Sequence, residues 1–339
     1  EVHLPECVFK NTAMQNCVWT SCSAPESSLI DADIRNWNVL DSDMRYIQDW
    51  PNLLCMIATR CNFSNTDWSG RHLEVGQFNS CNLSDCSFQN GHVEEVVFQE
   101  ADCSNVQFSN AKLNGSSFSY STLHGASFTE ANLERCLIRS CAIIRDQDAS
   151  IDTLALYHKL KAGDIVDDYV IESGDEDPAP DRTVTFRDAY LHAARFQDCN
   201  FAHFDFSDCD LSQAAFIRCK LGAGRFIHAN LELCSFIECG MRHASFHDTY
   251  IKLAIFAESD VQFVNFSKTH IDKISVTGCA LNGSSFAEAL VEDVVFSDID
   301  ITKIDWRNVD LRAVSFNDCQ APNMMLMSCR LYACCFFNT

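Results

Sequence analysis

The chain has 339 residues, 47% of them hydrophobic, with a formal net charge of -22 and a pI near 4.7. That balance excludes non-specific attraction to nucleic-acid phosphates or to an anionic membrane surface, and no apolar run approaches the roughly 18 residues of a membrane span. Twenty cysteines and 25 phenylalanines are far above ordinary usage, and it is their spacing that carries the fold.

Large apolar residues recur every five positions. The first series is Leu4, Phe9, Met14 and Trp19, then, past a weak Ala24, Leu29, Ile34, Val39 and Met44. The next large residue in the pattern, Phe63, lies 19 residues on, where 20 would keep register. Between them Asp49, Pro51, Leu53, Leu54, Met56 and Ile57 predict a short helix or an outward loop, with proline tolerated in a first turn. From Phe63 the spacing runs for 17 units through Trp68, Phe78, Leu83, Phe88, Phe98 and Phe108 to Ile143, with Cys103 the weak member.

A second break follows. Asp148 or Ser150 caps a predicted helix with an apolar stripe of Ile151, Leu154, Tyr157 and Leu160, His158 on its flank and Gly163 at its end. Residues 164–181 hold eight acids and no Lys or Arg, which reads as a solvated linker. The last series then runs for 31 units from Phe186 to Phe336, Ala321 being its poorest member. The expected division is a solenoid over 1–144, interrupted near 45–60, a helix with acidic linker over 145–183, and a second solenoid over 184–339.

Two residues before each large position stands a small one, as in Cys81, Cys86, Ala111, Ser116, Ala189, Cys199, Ala214 and Cys219. A helical stripe recurs at about 3.6 residues and a strand alternates at two, so neither produces a strict period of five. The chain has to turn a corner in every unit. A further period of ten, with Phe at 196, 206, 216, 226, 236 and 246, fits a square coil in which two opposite faces carry Phe and residues 20 apart stack. About 14 such coils at about 4.8 Å each predict a rod on the order of 65–70 Å long.

Units such as Ala111-Lys112-Leu113, Ala131-Asn132-Leu133 and Ala229-Asn230-Leu231 resemble the A(D/N)LXX consensus of the pentapeptide-repeat family. The resemblance extends over 57 units. It implies an all-β fold, a right-handed quadrilateral β-helix, here with a short helical and acidic-loop insertion. Handedness comes from the resemblance alone.

The repeat accounts for most residues that invite a chemical reading. Seventeen of the 20 cysteines occupy the small inward position, where cysteine acts as a small buried hydrophobe. Cysteine used in this way, unbridged and without metal, fits a reducing, cytoplasmic compartment, that of an effector delivered into a host cell included. Asn-Gly-Ser-Ser-Phe occurs at 114–118 and 282–286, but Ser116 and Ser284 fall in register as inward residues rather than nucleophiles. His192 and His243 are placed at corners. No catalytic, cofactor or metal motif appears, so no enzyme activity and no cofactor are expected.

Two surfaces stand out. Glu288, Glu292, Asp293, Asp298, Asp300, Asp305 and Asp310 form the densest acidic stretch of the second series and are the candidate partner-binding residues. Phe336 and Phe337 are the candidate contact of an end-to-end homodimer. The expected function is a non-enzymatic protein-binding scaffold, such as a bacterial effector or interaction module, with a protein partner and neither nucleic acid nor membrane. The alternative, implied by the resemblance, is a DNA-mimicking binder that inhibits or protects a type II topoisomerase (DNA gyrase).

Overall fold

The computed structural model describes residues 2–141, 185–201, 203–321 and 324–339. Every regular element among them is a short β-strand, and all strand pairs are parallel, as in a four-sided β-solenoid. The corner is made by the residue two places after each large one. It takes left-handed backbone angles, as at Asn65 (φ 60), Asp85 (φ 59), Asn105 (φ 58) and Asp208 (φ 62). Asn and Asp visit that region at lower cost than other side chains, which is why they recur there.

Between corners the chain is extended and lies against the same segment of the next coil. Phe98 pairs with Phe118 and Phe216 with Phe236, 20 residues on in each case. The amide of Leu83 donates to the carbonyl of Asp102 at 2.8 Å and that of Phe226 to Ser245 at 2.8 Å. Each coil's polar backbone is thus satisfied by its neighbour, as burial requires.

The chain divides into two compact units, Glu1–Thr185 and Phe186–Thr339. In the first, Trp68, Phe88, Phe108 and Phe128 form one inward column and Phe78, Phe98 and Phe118 the facing one. Rings stack within a column, at 5.2 Å for Phe88 and Phe108, and meet edge-to-face across the core, at 5.9 Å for Phe98 and Phe108. In the second unit Phe226 stacks on Phe246 at 4.6 Å and meets Phe236 edge-on at 5.8 Å. Aliphatic residues such as Leu211, Leu231, Leu221 and Met241 fill the other two sides and are fully buried.

The predicted helix or loop near residue 50 is not there. The solenoid continues, and Leu53–Thr59 is a strand paired with Asp33–Leu40. Ser28 pairs with Gln48, 20 residues on, but Ile34 pairs with Leu53, only 19 on. Residues 49–52 therefore turn the corner that 29–33 turn in the preceding coil, one residue shorter. Trp50 fills the inward place of this shortened unit, 1% exposed and stacked on Trp68 at 3.6 Å. A large flat ring supplies the volume that a five-residue unit would have brought. Ile143, the helix expected from Asp148 or Ser150 and the acidic loop at 164–181 lie outside the described residues.

Candidate interaction faces

The inward residues that looked reactive belong to the scaffold. All 20 cysteines are free, and 13 of them are buried. Desolvation pushes the thiols of Cys136 and Cys141 up to about 12 and that of Cys86 to about 11, so they stay protonated and unreactive. Ser116 Oγ donates to the carbonyl of Val93 at 2.7 Å and accepts from the amide of Val96 at 3.0 Å. Ser284 does the same with Val261 (2.6 Å) and Val264 (3.1 Å). Both hydroxyls are spent on the backbone of the preceding coil. His243 does stand at a corner (φ 61), stacked on Phe263. His192 lies in a corner turn too, the one closed by the Ala194 amide on the Leu191 carbonyl at 3.0 Å, with its ring 2.8 Å from Ser212 Oγ.

The acidic stretch of the second unit is largely neutralised. Arg312 bridges Glu292 (3.0 Å) and Asp310 (2.8 Å), and Glu292 also meets His270 at 3.1 Å. Asp305 pairs with Arg307 at 2.7 Å, and Asp293 lies 3.6 Å from Lys273. The Arg307 guanidinium holds the Asp305 carboxyl below the usual carboxylate range. Asp300 accepts from the Thr302 amide at 2.8 Å, as a turn residue does. Glu288 and Asp298 stand at left-handed corners. The seven acids are therefore brought onto several sides of the coil, most with a cation or a turn amide as partner. Phe336 and Phe337 lie on the strand Cys335–Phe337, 48% and 62% exposed, with Phe336 stacked on Phe316 at 4.9 Å.

A different surface emerges on the second unit. The strands Ala215–Ile217, Ser235–Ile237 and Ile255–Ala257 lie side by side and make one flat face. Their outward residues are Ala215, Ile217, Ser235, Ile237, Ile255 and Ala257, mostly apolar, with Ile255 53% exposed. Leu233 and Leu253 stand at the corner leading into this face, 48% and 41% exposed and both left-handed (φ 60 and 53). The corner leaving it carries Glu238 and Glu258, exposed and also left-handed. Neither glutamate has an ion pair among the described residues, whereas Arg218, the preceding residue of the same column, is held by Asp198 at 2.6 Å. The period-of-five reading followed inward residues and passed over this face. Its signal is in the sequence: Leu at the corner position of two successive coils, where polar or small residues predominate.

A family model described as "Pentapeptide repeat region" matches residues 71–145, 211–286 and 251–326, and one described as "Pentapeptide repeats (8 copies)" matches 186–222. No curated protein matches the chain. Among solved structures it is similar to HetL, a pentapeptide repeat protein involved in heterocyst differentiation regulation from the cyanobacterium Nostoc, at 15% identity over 89% of this chain and 90% of that one, with a TM-score of 0.27. Full-length QnrB1, a plasmid-mediated fluoroquinolone resistance protein, gives 16% identity over 71% and 93% of the two chains and a TM-score of 0.29. At these scores neither likeness bears on function.

Proposed function

This chain belongs to the pentapeptide-repeat family, and from that premise we propose that it is a non-enzymatic scaffold that binds a protein partner through its flat outer faces. One observation carries the reading: Leu233, Leu253 and Ile255 are exposed together beside the unpaired carboxylates of Glu238 and Glu258. Leucine in left-handed backbone costs about 1–2 kcal/mol, and exposing it forgoes its burial. Most corners carry polar or small residues, with Tyr46, Val75 and Phe263 the other exposed bulky ones, and two leucines stacked in adjacent coils of one column mark a surface kept for contact. The free, buried thiols support placement in a reducing compartment such as a bacterial or host cytoplasm.

The topoisomerase reading draws on the net charge of -22. A DNA mimic needs ordered rows of unneutralised carboxylates, and the pairing of Glu292, Asp305 and Asp310 with arginines favours the plain scaffold. A supercoiling assay with gyrase separates the two: inhibition or protection at submolar ratios would favour the mimic. The scaffold reading itself is tested with a photoreactive amino acid at position 255 and, as a second site, at position 112. Irradiation in cell extract is expected to give a discrete protein adduct from 255 that excess unlabelled protein competes away. Absence of a competable adduct from both positions would remove the reading.

A further inference from the structure

The chemistry of the partner can be read from the face itself. The central strand Ser235–Ile237 is hydrogen-bonded to Ala215–Ile217 on one side and to Ile255–Ala257 on the other. No backbone donor or acceptor is left for an added strand, so β-augmentation is closed here and a partner must bind through side chains alone. The flat part is three residues wide, about 10 Å at about 3.3 Å per residue, which is the diameter of a single α-helix. Coils rise by about 4.8 Å, close to the pitch of about 5.4 Å of a helix laid across the strands. Such a helix would set one apolar residue per turn against each coil in succession.

The surface has the matching polarity. Ile217 and Ile237 stack in register at the exit side of the face, Ile255 stands at the entry side of the next coil, in register with Ser235, and Leu233 with Leu253 raises one wall beside it. Along the opposite border stand Glu238 and Glu258, stacked one coil apart through the bond from the Glu238 amide to the Ala257 carbonyl (3.0 Å). On the leucine side the charges are already matched, Glu232 with Lys252 at 3.5 Å and Asp272 with Lys273 at 3.1 Å. The free charge bordering these three strands is therefore negative, and an exposed cation, Arg195, lies one coil earlier, on the strand paired with Ala215–Ile217.

Resting on the scaffold reading, we propose that this face is the docking site of an amphipathic helix whose apolar stripe (i, i+4, i+7) is flanked on one side by lysine or arginine. The apolar stripe seats on Ile217, Ile237, Ile255 and the two leucines, and the basic flank pairs with Glu238 and Glu258.

The probe is a labelled helical peptide of about 18 residues, some 27 Å of helix, with leucines at i, i+4 and i+7 and lysines on one flank. A second peptide carries glutamate in place of lysine, and a third carries a central proline. Fluorescence anisotropy against the full chain is expected to show saturable binding of the lysine peptide, with the glutamate and proline peptides at least about tenfold weaker. Ile237→Ser with Ile255→Ser should lose about tenfold or more. Glu238→Gln with Glu258→Gln should lose several-fold and flatten the salt dependence. Thermal melts check that these surface variants stay folded. Equal affinity for the three peptides, or for wild type and both double variants, overturns the proposal. So does sedimentation showing that Ile255→Ser abolishes a dimer, since the occupant would then be a second copy. A competable photo-adduct from position 255 that persists beside such failures would keep the scaffold reading and remove only the helix.

Discussion

Phe226 shows what one residue does in this architecture. It is fully buried, stacked between Phe206 at 5.2 Å and Phe246 at 4.6 Å, and met edge-on by Phe236. Backbone bonds to the coils on either side, Arg225 to Phe204 and Phe226 to Ser245 (2.8 Å each), fix the chain here, so neighbours have little freedom to close over a void. Phe226→Ala should therefore cost about 3–5 kcal/mol, read as a lower urea midpoint at unchanged slope. The corner leucines predict the opposite sign. Leu233→Asn places at φ 60 a side chain that tolerates the left-handed region better. It should raise stability by about 0.5–1 kcal/mol while weakening partner binding; a loss of stability would mean that Leu233 is held by packing and not by function. Inward residues such as Phe226 were legible in the sequence because burial imposes the period. The ion pairs were not: Glu292 meets Arg312 only because residues 20 apart stack, so a run of acids read along the chain overstates the free charge.

At the scale of one repeat unit, the shortened corner at 49–52 is the informative exception. The sequence slips there by one residue, and Leu53, Met56 and Ile57 read as a helix or loop. Leu53, Ala58 and Phe63 in fact keep the five-residue spacing, but Ala58 stands where a large residue is expected and hides the continuity. In the preceding coil Trp37 takes a small position, so size is exchanged between positions while both residues remain buried. Periodicity reports volume per position and does not see such compensation. Trp50 holds the slip together through its stack on Trp68. Trp50→Ala is expected to destabilise the first unit by about 3–5 kcal/mol and to remove the near-ultraviolet dichroism of the stacked indole pair. Retention of that signal would show that the pair does not define the corner.

Over the whole molecule, buried thiols make stability depend on pH. A thiol ordinarily ionises near 9; desolvation raises Cys86 to about 11 and Cys136 and Cys141 to about 12. Cys103, Cys209, Cys219 and Cys234 are raised as well, chiefly by burial. The folded chain thus holds protons that the unfolded chain releases. Below about pH 8 both states are protonated and the contribution is complete. Above pH 9 the unfolded state binds fewer protons than the native one, so stability falls as pH rises, until the folded-state values are passed. Each such thiol adds a slope of up to about 1.4 kcal/mol per pH unit in that window. Because solenoid stability sums over units and their neighbours, several thiols in successive coils act on the same limb. Urea midpoints measured at pH 7, 8 and 10.5 should be nearly level between the first two and drop at the third. A chain with Cys86, Cys136 and Cys141 changed to Ala, which preserves the small inward residue, should show a shallower drop. An alkaline limb of equal steepness in both chains would assign it to other groups, such as the Lys273 ammonium held above its usual range by Asp272, and would remove the thiols as its cause.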